Sequence, residues 1–388
     1  MGTNHLLDAA RKLAPELSER ALEAEQQRTL PIDLVDRARG AGLFHLAMPA
    51  ALGGHESDPI TIFEVIEELS RADGSAGWTV FIGNSTAFVA WLEPEVAKEI
   101  VASRPDFITT GVFAPTGTAR PSGDSDGAYV VDGRWTFNSG CPHADWFMNG
   151  VVVMDGDAPR MVGDRPDWRF AFYPASDGEI IDTWHVAGLR GTGSHDTTAA
   201  GVRVPIERTI APFFEPAKFD GPLYRVPFAS MLTTFLAAFP LGVARRALDE
   251  FAALSLTKAR IAGPGAVMAE DEAVQVELAR AEATVRSARA YVIDALGDAY
   301  DTAVAGGEVS MQQRAATLMA TMHAARSART ATDSVFAMSG GGALYDSSPL
   351  QRCMRDLVAG TQHLFYNINR WKTIARVQLG MDPATFMI

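Results

Sequence analysis

The sequence predicts an α+β chain in three parts: an N-terminal helical domain over residues 1–105, a central β-barrel or sandwich domain over 106–222, and a C-terminal four-helix bundle over 223–388. Three observations predict it. Apolar residues recur at helical spacing at both ends of the chain. Between them the pattern shifts to short β-branched and aromatic runs punctuated by Gly, Pro, Asp and Ser clusters. Toward the C-terminus, long Ala-rich segments joined by short loops suit an antiparallel bundle. With 388 residues, 47% of them hydrophobic, the chain can bury the cores of two or three packed units.

Leu6, Leu13 and Leu17 recur near helical spacing in a charged background, and Leu30-Pro31 begins a second helix with proline in the tolerated first turn. Ala51-Leu-Gly-Gly54 breaks the pattern. Ser57-Asp-Pro59 caps a helix through Ile62, Val65, Ile66 and Leu69. Another is expected from Ser75 to Trp91, and Glu93-Pro94 opens a short one ending near Val101. Strands are expected at Phe107–Phe113, Tyr129–Phe137, Trp146–Val153, Trp168–Tyr173 and Ala199–Val204. Within the second, Asp132-Gly133 reads as the tight turn of a β-hairpin. Long helices follow at about 228–257, 271–303, 309–338 and 349–379, the last two flanking Ser339-Gly-Gly-Gly342.

Composition and motifs narrow the function. A net charge of -13 without a Lys/Arg run argues against nucleic acid and against an anionic membrane surface. Two cysteines, Cys141 and Cys353, imply no disulfide framework. His143, His185, His195, His323 and His363 are scattered, so no metal site is expected. Neither a signal peptide nor an apolar stretch able to span a bilayer is read, and a cytoplasmic protein is expected. G-x-G-x-x-G after a strand and G-x-x-x-x-G-K-[ST] are absent, and Gly191-Thr-Gly193 lacks a third glycine, so no common nicotinamide site is present. G-x-S-x-G is absent as well, which speaks against a hydrolase.

Three stretches could carry chemistry. In Gly133-Arg-Trp-Thr-Phe-Asn-Ser-Gly-Cys-Pro-His-Ala-Asp-Trp146, aromatic Trp135, Phe137 and Trp146 surround Asn138, Ser139 and Gly140. That suits a ring system with polar edges; the alternative is a hairpin packing its aromatics into ordinary core. Ser339-Gly-Gly-Gly-Ala-Leu-Tyr345, followed by Ser347-Ser-Pro349, runs a glycine-rich turn into a helix N-terminus, where free amides favour a phosphate; a plain interhelical turn is the alternative. On a continuous helix Arg352, Asp356, Ala359 and His363 would share a face, with Asp356 able to pair with Arg352, although a lone helix histidine is commonly structural. Arg260 is either a phosphate partner or a solvated helix charge.

In order and spacing these pieces resemble the acyl-CoA dehydrogenase fold over nearly the whole chain. Gly133–Gly140 resembles the flavin-facing strand; Ala187-Gly-Leu-Arg-Gly-Thr-Gly-Ser-His-Asp196 with Val202-Arg-Val-Pro205 resembles the end of the β domain; Gly340–Tyr345 and Arg355-Asp356 resemble the bundle's glycine turn and next helix. Where true dehydrogenases carry a catalytic glutamate soon after the Arg-Asp pair, Gly360-Thr-Gln-His-Leu-Phe365 has no acid. Phe-x-Ser-Gly and Gln362-His363 instead resemble the flavin-dependent monooxygenases of this superfamily, oxygenase components of two-component systems.

That resemblance implies reduced FMN or FAD supplied by diffusion from a separate reductase, and molecular oxygen as co-substrate. It implies reaction through a flavin hydroperoxide to hydroxylate an aromatic or amine-type small molecule, in a homotetramer or homodimer. It implies Ser139 and His363 as catalytic residues, with Phe113, Trp135, Phe137, Asn138, Ser139, Arg260, Gly340, Gly341 and Gly342 binding the cofactor, and no metal. Many such hydroxylases have a further histidine where Asn84 and Ser85 stand here, which puts a phenolic substrate in doubt. An acyl-CoA dehydrogenase or related flavin oxidase, and a non-catalytic oligomeric scaffold, are the alternatives.

Overall fold

A computed structural model describes residues 4–123, 127–259 and 267–388. Six helices open the chain: α1 Asn4–Glu19, α2 Ala21–Gln27, α3 Ile32–Gly40, α4 Pro59–Ala72, α5 Gly74–Gly83 and α6 Pro94–Ser103. Their ends follow sequence chemistry. Asp58 accepts from Thr61 N at 2.9 Å with Pro59 at the first turn of α4, and Asp73 accepts from Ala76 N at 2.9 Å to start α5. The helix expected from Ser75 to Trp91 stops at Gly83 and continues as a 3₁₀ segment, Ser85–Trp91. Asn84 makes that break. Its side chain accepts from Leu46 N and donates to the carbonyls of Leu43 and Val80, each at 2.8 Å, so it ties α5 to the preceding loop.

The strands are β1 Thr109–Thr110, β2 Gly117–Pro121, β3 Ala128–Trp135, β4 Trp146–Asp155, β5 Ala158–Pro159, β6 Met161–Val162, β7 Arg165–Pro166, β8 Trp168–Pro174, β9 Glu179–Ile181, β10 Asp196–Pro205 and β11 Thr209–Ile210. Nine of these make one mixed sheet in the order β11-β8-β4-β2-β3-β10-β9, with β1 and β5 also on β4. The expected hairpin over Tyr129–Phe137 is not formed: Asp132 and Gly133 lie mid-strand, opposite Thr118 of β2 and Ala199 of β10. Gly133 is there for close approach. A Cβ would come 2.7 Å from Gly117 Cα and 2.8 Å from the Trp135 ring.

The C-terminal part comprises α7 Pro222–Arg225, α8 Phe228–Thr257, α9 Glu272–Val304, α10 Met311–Ser339, α11 Pro349–Gly360 and α12 Asn369–Gln378. The long helix α8 packs against α10, α9 and also α4, which ties the bundle to the N-terminal helices in one apolar core. Contrary to the expectation that no apolar stretch could span a bilayer, α8 is long and apolar enough by composition; 94% of its apolar window is buried inside the fold, so it serves as the core helix. The single helix expected over 349–379 is also interrupted, ending at Gly360 and resuming at Asn369. A Cβ on Gly360 would lie 2.3 Å from the Phe239 ring of α8, so the small residue lets the chain turn there.

Gly133→Ala should cost about 1–3 kcal/mol through overpacking against β2. Urea unfolding checks this: the midpoint is expected to fall at an unchanged slope.

Candidate active site

Two loops meet at one end of the sheet. After β3 the chain turns at Phe137, whose φ of 66° lies in the left-handed region. Asn138 N then donates to His195 O at 3.0 Å, Gly140 N to Thr192 O at 2.8 Å, and Cys141 Sγ to Gly193 O at 3.3 Å. These bonds lace residues 137–141 to residues 192–195 and fix Ser139 in a buried position.

Trp78 of α5 reaches this loop pair. Its indole Nε1 donates to Ser139 Oγ at 3.1 Å, and Ser139 Oγ is 2.7 Å from Ser194 Oγ. Ser194 Oγ is in turn 2.6 Å from Thr192 Oγ1, which donates to Leu189 O at 2.8 Å. The Trp78 ring also packs edge-on against Phe239 at 4.8 Å, Phe81 at 5.3 Å and His363 at 5.8 Å between centroids. The two expected catalytic side chains therefore touch one indole. His363 arrives there from the linker between α11 and α12, not from a helix face: it caps the 3₁₀ turn Leu364–Tyr366, with Nδ1 accepting from Phe365 N at 3.4 Å. The break after Gly360 is what turns the ring inward.

The Arg355-Asp356 pair holds the other loop. Asp356 Oδ1 accepts from Leu189 N at 2.6 Å, and Arg355 donates to Ala187 O. A Cβ on Gly188 would sit 2.1 Å from Arg355 O, which leaves glycine as the residue that fits. The expected Asp356–Arg352 pairing is replaced: Arg352 faces Asp73 at 3.8 Å, and burial together with the Asp73 charge pushes the Asp356 carboxyl up.

Several polar atoms at this place lack protein partners. Asn138 Oδ1, Thr79 Oγ1 and Thr110 Oγ1 are buried and unbonded, and the Thr79 and Thr110 methyls both lie 3.4 Å from where a Gly140 Cβ would be. Each such orphan costs about 1–3 kcal/mol. A ligand whose edge carries both donors and acceptors would satisfy them, so the residues present fit a flavin ring edge.

The other expected binding residues are placed as follows. Phe137 is exposed and stands edge-on to Trp184 at 6.1 Å, beside the loops. Trp135 is wholly buried within the sheet, its Nε1 donating to Gly150 O at 2.7 Å, which makes it core and leaves no face for a cofactor. Phe113 stacks on Phe170 at 4.9 Å in an aromatic cluster with Phe88, Phe213 and Phe228. Gly340, Gly341 and Gly342 form an exposed turn after α10, where Lys258 Nζ donates to Ser339 O; the turn meets Lys258 and not Ser139 or His363. Arg260 lies outside the described residues. Trp78, Thr192 and Ser194 were not singled out from sequence. Their signal was present as two hydroxyl residues alternating with glycine in Gly191-Thr-Gly-Ser194, but nothing local shows that these face Ser139.

The sequence model of the acyl-CoA dehydrogenase N-terminal domain matches residues 3–97, and that of the C-terminal domain matches residues 234–368. The chain is 34% identical over 380 residues to the indole-3-acetate monooxygenase of Pseudomonas putida, covering 97% of this chain and 93% of that one. It is 31% identical over 363 residues to the flavin-dependent monooxygenase oxygenase subunit HsaA of Rhodococcus jostii strain RHA1, covering 90% and 92%. The crystal structure of the HsaA monooxygenase from M. tuberculosis superposes with a TM-score of 0.91 at 28% identity, covering all of both chains.

Burial, with a smaller push from Arg370, lowers the half-buried His363 imidazole from 6.5 to about 4. It is therefore neutral at ordinary pH and does not titrate near pH 7, as an unperturbed imidazole would. The unfolded chain binds this proton more readily than the folded one. Stability should thus fall as pH drops from 6.5 toward 4, and His363→Gln should remove that part of the loss. Thermal unfolding of both forms across that range checks it; identical pH slopes would contradict the shift.

Proposed function

Because the chain belongs to the acyl-CoA dehydrogenase superfamily, among its flavin-dependent monooxygenases, we propose that it is the oxygenase component of a two-component system. It takes reduced flavin from a separate reductase and adds one atom of molecular oxygen to a small aromatic or amine-type substrate. The observation that carries this is the meeting of Ser139 and His363 on Trp78, beside the unbonded polar atoms of Asn138, Thr79 and Thr110. The missing dinucleotide motif and the words "oxygenase subunit" in a relative's name support a separate reductase.

When bound, reduced flavin supplies the electrons that activate oxygen. This chain's residues supply the setting. Ser139 Oγ, anchored by Trp78 Nε1, keeps a lone pair for the N–H that a reduced flavin carries at N5. With reduced flavin bound, a hydrogen held there by Ser139 would disfavour wasteful release of peroxide. The neutral His363 imidazole, whose Nδ1 accepts from Phe365 N, carries its hydrogen at Nε2 and offers that hydrogen to the substrate. Phe81, stacked on Phe235 at 5.3 Å, and Phe239 form an apolar wall against water around Trp78. The exposed amides of the Gly340–Gly342 turn suit a phosphate presented by a neighbouring copy of the chain. FMN and FAD share the ring edge this site addresses. The acyl-CoA dehydrogenase alternative is the less favoured reading, since Gly360–Phe365 carries Gln362 and His363 and no carboxylate.

The test supplies reduced flavin, oxygen and candidate aromatic or amine substrates, and compares peroxide with oxygenated product. Ser139→Ala should raise peroxide severalfold and, by leaving the buried Trp78 N–H unpaired, cost about 1–3 kcal/mol of stability, and His363→Ala should lower product by about tenfold through the lost hydrogen bond to substrate. Unchanged coupling in the first and unchanged turnover in the second would remove both residues from the mechanism. Reduction of dyes by acyl thioesters, without oxygenated product, would replace the assignment with a dehydrogenase.

A further inference from the structure

Only one direction of donation along the hydroxyl chain behind Ser139 keeps the Thr192 bond to Leu189 O. At one end stands the Trp78 indole N–H, which can only donate; at the other stands the Leu189 carbonyl, which can only accept. Thr192 spends its single hydroxyl hydrogen on Leu189 O at 2.8 Å. The 2.6 Å contact between Thr192 and Ser194 must then be made by the Ser194 hydrogen, and the 2.7 Å contact between Ser194 and Ser139 by the Ser139 hydrogen. Ser139 thus gives its hydrogen away from the site and accepts one from Trp78. What remains toward the ligand is one lone pair and no donor.

We propose that this chain, Ser139–Ser194–Thr192 closed on Leu189 O, is a redox-state filter that selects reduced over oxidised flavin. The inference rests on the flavin assignment made above. Reduced flavin carries a hydrogen at N5 and meets the waiting lone pair. Oxidised flavin has a bare N5, and lone pair would face lone pair. To donate to that nitrogen, Ser139 would need Ser194 and Thr192 to reverse as well. The reversed chain leaves Leu189 O without the Thr192 hydroxyl, although Trp184 Nε1 at 2.9 Å and Thr192 N at 3.2 Å still donate to it. The cost is about one buried hydrogen bond, worth roughly tenfold in binding. Thr192 and Ser194 are positioning residues in this scheme: they set the direction of the Ser139 hydrogen. Asp356, through Leu189 N, holds the residue on which the chain ends.

The same anchoring makes the filter hard to defeat by thermal motion. Leu189 sits at a φ of 53°, unusual for a residue with a side chain, and is gripped at both its N–H and its carbonyl. Thr192, Ser194 and Ser139 are all buried, so no exposed rotor is available to swap partners.

The experiment measures binding, not turnover. Dissociation constants for reduced flavin without oxygen, and for oxidised flavin, are taken on the full chain with FMN and with FAD. The parent should favour reduced flavin. Thr192→Val keeps shape but removes the last hydroxyl; Ser194 can then take either direction, and the preference should shrink roughly tenfold, mostly through tighter oxidised flavin. Thr192→Ser should restore it. Ser194→Ala, which frees the Ser139 hydrogen outright, should shrink it as well and serves if Thr192→Val fails to fold. A preference that both folded variants leave unchanged overturns the filter while the flavin assignment stands. Failure of the parent to bind either redox form overturns the assignment, and the filter with it.

Discussion

The indole N–H of Trp78 is buried, and its acceptor is Ser139 Oγ. Left unpaired there, it would cost about 1–3 kcal/mol. That constraint locates the site, because it forces an N-terminal helix, a loop at the sheet's end and the linker between two bundle helices to converge. The ring that carries the N–H is packed by Phe239 of α8 and by His363 of the linker. A shift of α5 along its axis would break a polar contact on one side and an aromatic contact on the other.

A second junction backs the first. Leu189 adopts a left-handed conformation that costs a residue with a side chain about 1–2 kcal/mol. The 2.6 Å bond from its N–H to Asp356 offsets this, while Arg355 takes the neighbouring Ala187 carbonyl. The Arg-Asp motif is therefore a clamp from the bundle onto the β domain's last loop, and its effect on chemistry passes through that loop. Arg352, which the helix spacing made the natural partner of Asp356, serves Asp73 at the cap of α5 instead. One turn of α11 thus braces both segments that meet at Ser139.

Much of this was legible in the chain. Helices α8, α9 and α10 lie within a residue or two of the expected spans, because a long apolar or Ala-rich pattern has little else to become. Asp58-Pro59 caps α4 because both residues satisfy a helix start locally. Asp132-Gly133 misled, since a dipeptide that favours a turn also fits mid-strand wherever a neighbour comes too close for a Cβ; Gly117 and the folded-back Trp135 ring are what come close. The 349–379 helix misled for a similar reason. Gly360 is no strong breaker by itself, and the helix stops where Phe239, over a hundred positions earlier, occupies its flank.

The sequence by itself determined the order of helices, sheet and bundle, the nomination of Ser139 and His363, and the absence of a common dinucleotide motif. The order of elements follows from periodicity and residue type, which are local, and the two nominated residues follow from the resemblance of their motifs to a known family. Only the tertiary structure decided that Trp135 is core, that Trp78 is the surface on which Ser139 and His363 meet, and that Thr192 and Ser194 direct the Ser139 hydrogen. Hydrogen-bond direction depends on which donors and acceptors lie within about 3 Å of one another. Here they come from segments more than fifty residues apart, a proximity that no local pattern encodes.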